Sequence, residues 1–308
     1  MTAAGRHAPM SAAEQAATNT RGIVAMIAAM GSFSLSDMLI KFVGQELPIG
    51  QIIFLRGVFA SALVVVAAFA TGALPGGFKA VGPEKRGLVL LRTFAEVGAT
   101  ITFLSGLIRL PFADASAIAQ FVPLGVTAAA AIFLGESVGW RRWLATFVGL
   151  IGVMIIIKPG TTAFDPGAIW ILGSMFFVVT RDLTTRQIGS QVPSLFLISI
   201  SAVAVTIASL GFLPFETWRM PSADAYVLLL GSALGVLGGY YAVIVAMQSG
   251  EIATVAPFRY SIILFAIFLG MVVFGERPPV STFVGVAIVV TAGLYMFHRE
   301  RVRKRISQ

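Results

Sequence analysis

Charged side chains inside long apolar runs are the residues of this sequence whose chemistry asks for an explanation. Arg92 and Glu96 stand four residues apart, on one face of a helix, within an apolar segment. A charge at the centre of a bilayer-spanning helix costs roughly 2.5–3.5 kcal/mol on insertion scales, so such groups face the interior, pair, or bind something. Arg92 offers a ligand for a carboxylate, and Glu96 offers a ligand for an ammonium or a carrier for a proton. Together they read as a receptor for a zwitterion, and the competing reading is an intrahelical ion pair. Arg259 is a second candidate, between Phe258 and Tyr260 and after Pro257, whose missing amide leaves a carbonyl free to shape a cavity wall. The competing reading there is a pair with Glu96.

Tyr240, Tyr241 and Tyr260 carry weight because the chain has only five Tyr against 24 Phe, and a buried phenol needs a partner that cargo can supply. Gln120 is a further polar candidate, as is Ser105. The substrate-binding set expected is therefore Arg92, Glu96, Gln120, Tyr240, Tyr241, Arg259 and Tyr260. Asp37 with Arg56, and Arg181 with Asp182, suit a gate that exchanges ion pairs; the competing reading is snorkelling to headgroups. Glu136 and Glu276 are expected to hold helix ends.

Other chemistries are excluded by what the chain lacks. It has no Cys and two His, His7 and His298, both in polar flanks, so no Cys/His metal centre and no disulfide can be built. No clustered His or paired carboxylates suggest an enzyme. No phosphate-binding loop ending in Lys-Ser/Thr is present, so direct use of ATP would need a partner protein. No cofactor and no metal are expected.

The elements that must position these side chains are membrane spans. Of 308 residues, 57% are hydrophobic and 12% charged, against about 25% charged in soluble domains. Crossing a bilayer takes about 20 apolar residues. Such runs, cut at Pro, Gly and charge, fall near 21–43, 49–72, 87–109, 112–135, 141–158, 167–188, 193–214, 224–248, 251–274 and 279–297. The reading is an all-α integral membrane protein of ten transmembrane helices. The separators are short except for a loop from Ala73 to Arg86. The net charge of +8 suits topology and anionic lipid and not nucleic acid. With both termini cytoplasmic, Arg6, Arg21, Lys79, Lys85, Arg86, Arg141, Arg142, Arg186 and the basic tail lie inside, against Lys41, Arg109, Lys158, Arg219 and Arg277 outside.

An internal repeat organises the spans. Asp37, Lys41, Gly44 and Pro48 recur 145 residues later as Asp182, Arg186, Gly189 and Pro193, and Gly135-Glu136 recurs 140 residues later as Gly275-Glu276. Five spans per unit puts the second unit upside down relative to the first, the inverted-topology repeat of carriers that rock about a midplane site. The organisation expected is a disordered cytoplasmic lead at 1–20, repeats at 21–160 and 161–297, and a basic cytoplasmic tail at 298–308.

These residues resemble the drug/metabolite transporter superfamily, specifically its EamA-type members with two five-helix repeats. The resemblance rests on the paired Gly-Glu helix ends, on Leu134 to Gly152 with Arg141-Arg142-Trp143, and on Ala113-Asp114-Ala115-Ser116-Ala117 before Pro123. It covers roughly residues 21 to 297. It departs from strict duplication because the second half has no proline at Ile263, the equivalent of Pro123, and carries Pro257 instead, so the halves need not bend alike. The resemblance implies secondary transport by alternating access, with relatives that include exporters of amino acids, among them aromatic amino-acid exporters of the YddG type, and carriers of nucleotide sugars, riboflavin and S-adenosylmethionine. Export of amino acids or related metabolites is the first expectation. Uptake of S-adenosylmethionine or riboflavin is the alternative, and a membrane-embedded enzyme or non-transporting membrane protein the alternative from another class. The expected partners are a small-molecule substrate, the lipid bilayer and protons, with no nucleic acid. The expected setting is a bacterial inner membrane, and the expected state a monomer, with a dimer as the alternative.

Overall fold

The computed structural model describes residues 12–135, 138–189, 192–249 and 252–306, and among them every regular element is helical. Glu136, His7 and residues 1–11 lie outside the described residues. The helices are α1 (Ala12–Val43), α2 (Ile49–Ala70), α3 (Ala73–Ala80), α4 (Pro83–Arg109), α5 (Phe112–Ala119), α6 (Val122–Phe133), α7 (Trp140–Ile157), α8 (Gly167–Ile188), α9 (Ser194–Ser209), α10 (Ala223–Ser249), α11 (Ile252–Val255), α12 (Ser261–Phe274) and α13 (Val280–Ile306). Ten segments are long and apolar enough to cross a membrane. The first three are α1, α2 and α4; α5 and α6 together make the fourth; α7 to α10 are the fifth to eighth; α12 with the turn before it is the ninth; and α13 is the tenth. Because spans alternate in direction, α1 begins and α13 ends at the same face, called proximal here, and the opposite face is distal.

Two expectations differ in detail. Residues 12–20 are helical and continue into the first span, and the stretch from Ala73 holds the short helix α3 in place of a loop. The tail from His298 continues α13 as far as Ile306. Helices run past the apolar stretch because their hydrogen bonds are made within the segment, whether the side chains meet lipid or water.

The fourth and ninth spans are broken. In the fourth, α5 stops at Ala119, Gln120 and Phe121 form a turn, and α6 resumes with Pro123 in its first turn, where the missing N–H costs nothing. In the ninth, Pro257 opens the 3-10 turn Ala256–Tyr260 before α12. The repeat offset places Gln120 on Tyr260, the last residue of that turn. The two halves thus break at the same repeat position although their prolines, which left the halves free to bend differently, do not coincide. Both broken spans then end on a glycine in the left-handed region, Gly135 at φ 67° and Gly275 at φ 64°, a conformation glycine adopts without steric cost.

The closest helix neighbours are α1 with α10, α4 with α8, α7 with α13 and α2 with α9. Exchanging spans one to five with spans six to ten maps this set onto itself. Small residues set the spacing: a Cβ at Gly285 would lie 2.7 Å from the Gly152 carbonyl oxygen, and one at Gly235 would lie 3.2 Å from Ser36 Cβ. In lipid, where apolar contact brings helices no hydrophobic gain over contact with tails, this close approach is what drives packing. Hydroxyls add to it, with Ser32 donating to the Gly235 carbonyl at 2.7 Å and Ser36 to the Ser232 carbonyl at 2.9 Å. The main apolar core joins Ile40, Ile52, Leu107, Ile118, Val153, Ile171, Leu229 and Val289, drawn from both halves.

Candidate functional site

The mid-span charges sort into those that are satisfied by protein and those that are not. Arg92 belongs to the first group. Its Nε donates to Thr185 Oγ1 at 3.0 Å, its Nη1 to Ser201 Oγ at 2.6 Å and to the Leu197 carbonyl at 3.3 Å, and its Nη2 lies 3.7 Å from Glu96. One guanidinium thereby ties α4 to α8 and α9, a use of the planar five-donor fork that an ammonium cannot copy. The carboxylate of Glu96 is shared with Arg181 at 3.4 Å, and Arg181 also meets Asp182 at 2.9 Å. Two guanidiniums and two carboxylates therefore form one neutral cluster where α4 crosses α8. The expected pair Arg92–Glu96 is present, and the expected pair Arg181–Asp182 is present as part of the same cluster.

Arg259, Asp37 and Arg56 belong to the second group. None makes a hydrogen bond or an ion pair among the described residues. Arg259 projects from the turn that breaks the ninth span and lies within electrostatic reach of Asp182 and Arg181, and Glu96 is taken by other partners. Asp37 and Arg56, on the first and second spans, feel each other's charge without touching.

Tyr240 joins the groups. Its phenol is within electrostatic reach of Glu96, Arg181, Arg56 and Arg92, and its ring meets Phe33 edge to face at 5.3 Å. It is 41% exposed although it sits within a span. Electrostatic neighbours thus link Asp37 to Arg56, Arg56 to Tyr240, Tyr240 to Glu96 and Arg181, and Arg181 with Asp182 to Arg259.

The other candidates stand apart from that line. Gln120 is buried at the break of the fourth span, and its Oε1 has no hydrogen bond among the described residues. Tyr241 is 71% exposed and borders a shallow depression near the proximal end with Thr18, Arg21 and Gln248. Tyr260 is buried, its hydroxyl against Gly293 of α13 and without a hydrogen bond among the described residues, and its ring edge-on to Phe297. Its side chain points into the contact with the tenth span.

Sequence reasoning missed Thr185 and Ser201, the hydroxyls that hold Arg92; a single Ser or Thr in an apolar helix carries no signal of its own. It also left unpartnered a distal cluster in which Lys41 lies 3.5 Å from Glu276 and donates to the Leu107 and Leu110 carbonyls. Glu276 accepts the Phe112 amide at 2.7 Å. Its carboxylate sits at the N-terminus of α5, where free amides and the helix dipole favour an anion. The helix-end role expected of Glu276 is what the geometry shows. Nearby, Thr282 donates to Asp114 at 2.7 Å.

A family model described as the EamA-like transporter family matches residues 20–158 and again 165–297. The chain belongs to the EamA-like transporter family. The two matches coincide with the two five-span units, and the membership places the chain among the drug/metabolite transporters as a multi-pass membrane protein. Among its EamA-type relatives is an S-adenosylmethionine uptake transporter of Rickettsia prowazekii, 25% identical over 92% of this chain and 95% of that protein. A riboflavin transporter of Vibrio cholerae is 26% identical over 72% of this chain and 75% of the relative. A pseudopaline exporter of Pseudomonas aeruginosa is 26% identical over 88% and 94%. A crystal structure superposes at a TM-score of 0.63 with 17% identity, covering 92% of this chain and 99% of the other, which supports the shared fold alone.

Proposed function

We propose that this EamA-type protein is a secondary carrier of a small charged metabolite, S-adenosylmethionine or a related compound bearing an amino-acid group, in a bacterial inner membrane. The observation that carries the reading is Arg259, a guanidinium with no hydrogen bond or ion pair among the described residues, at a helix break whose repeat counterpart breaks the fourth span. Carriers of this kind bind solute where discontinuous helices meet, and an intramembrane charge that the described residues leave unpaired is a functional group by default. The two units, related by inversion, rock about that level and expose it alternately to each face. The relatives named for S-adenosylmethionine uptake and for pseudopaline export span opposite directions of transport. Amino-acid export is the narrower form of the same reading, and riboflavin, carried by another relative, is the competing cargo.

Purified protein in liposomes is tested for uptake of labelled S-adenosylmethionine, labelled amino acids and labelled riboflavin. The reading predicts saturable S-adenosylmethionine flux that falls at least about tenfold in Arg259→Gln, the loss of one charged hydrogen-bonding partner. Riboflavin flux alone would contradict the choice of cargo, and normal flux in the variant would contradict the site.

A further inference from the structure

Arg21, at the proximal end of the first span, makes no hydrogen bond or ion pair among the described residues. Helix geometry fixes where it points. Arg21 stands 11 residues before Ser32 and Thr18 stands 18 before Ser36, about three and five whole turns at 3.6 residues each. All four lie on the stripe of α1 that faces α10, where Ser32 and Ser36 donate to the Gly235 and Ser232 carbonyls. The packed seam continues proximally through Met26, Ala29, Met30 and Ala246. Beside its proximal end the two helices leave a depression of about 490 Å³, lined by Thr18 and Arg21 on α1 and by Tyr241, Ile244, Val245 and Gln248 on α10.

The lining has an apolar wall and a polar rim. The four α10 residues recur at the spacing of one helix face, with Tyr241 71% and Ile244 50% exposed. Tyr241 lies two turns, about 10 Å, deeper along α10 than Gln248. The headgroup layer of a bilayer is about 5–8 Å thick on each side, so a molecule lying along this wall has one end at the interface and the other among acyl chains. Tyr241 stands at the level where amphipathic rings anchor a span. The rim holds a cation and, among the described residues, no carboxylate. The proximal ends of other spans add Lys85, Arg86, Arg141, Arg142 and Arg186, the charge bias of a face against an anionic leaflet. A net-anionic head group answers that field, whereas a zwitterionic one brings a further cation to it.

We infer that this depression binds one anionic phospholipid of the proximal leaflet, with its phosphate on Arg21 and an acyl chain along Ile244 and Val245. Because α1 belongs to the first five-span unit and α10 to the second, the lipid bridges the two units at their seam. The inference holds whatever the cargo is.

The test is native mass spectrometry of the full chain released from detergent micelles, with phosphatidylglycerol and phosphatidylcholine of matched chains supplied at equal concentration. The wild type should retain one phosphatidylglycerol about five- to tenfold in preference to phosphatidylcholine, the factor for one charge-assisted contact near the membrane surface. Arg21→Gln should erase that preference. Arg141→Gln, at the same face but with its guanidinium over the Trp140 ring at 5.4 Å, should keep it. Equal retention of the two lipids by the wild type overturns the site without recourse to any variant. A preference that survives Arg21→Gln, or falls as far in Arg141→Gln, overturns it too, because surface charge in general then accounts for the selection. Glycerol phosphate, with the same anionic chemistry and no chains, should leave the bound lipid in place at equal concentration; displacement would overturn the lipid and make the depression a site for a soluble anion.

Discussion

At the scale of the residue, the deciding question for each mid-span charge is whether protein or something else satisfies it. Arg92 and Glu96 read from the sequence as a zwitterion receptor, and their spacing on one helix face was legible there. What was not legible is that Thr185, Ser201 and the Leu197 carbonyl, on other helices, take up the Arg92 donors. That assignment makes Arg92 a structural tie, so Arg92→Gln should lower stability by about 1–3 kcal/mol, measured as a lowered denaturation midpoint in detergent. Arg92→Lys should fail to restore it, since a point charge cannot bind three helices in one plane. Tyr260 leads to the opposite expectation. Its hydroxyl has no partner among the described residues, so Tyr260→Phe should leave both flux and thermal stability within about 0.5 kcal/mol of wild type. A large loss of flux in that variant would return Tyr260 to the substrate path.

At the scale of the element, hydropathy was enough to locate ten spans within a few residues, because a bilayer tolerates only long apolar helices. The short helix α3 and the helical continuation at both ends were less legible, since these segments are polar and their helicity depends on neighbouring structure. The breaks in the fourth and ninth spans were visible only as two prolines at unmatched positions, Pro123 and Pro257. Symmetry of the break comes from the backbone turn and not from the proline itself. The fifth and tenth spans meet at Gly152 and Gly285, where there is no room for a side chain. Gly285→Leu should therefore destabilise by about 1–3 kcal/mol through overpacking, seen as earlier thermal aggregation, whereas a leucine that left the melting curve unchanged would mean the two helices are free to separate.

At the scale of the whole molecule, the repeat read from Asp37 and Asp182 turns ten helices into five plus five, and the family match to both halves supports that division. The halves are tied at the distal face by polar contacts between the chain near the start of α2 and the segment leading into α10. Gly50 donates to Glu216 at 2.9 Å, the Arg219 amide donates to Gln51 at 3.1 Å, and Ser222 donates to Glu46 at 3.0 Å. Transport by rocking requires these contacts to break once in every cycle, while a fixed pore or a non-transporting protein has no such requirement. The chain has no cysteine, so a pair introduced as Glu46→Cys and Ser222→Cys can be bridged selectively by a short reducible thiol-reactive cross-linker. The decisive measurement is exchange of labelled S-adenosylmethionine across liposomes holding this variant, before and after bridging and again after reduction. Alternating access predicts that bridging stops exchange and reduction restores it, whereas exchange that continues at the same rate through the bridged protein would contradict it.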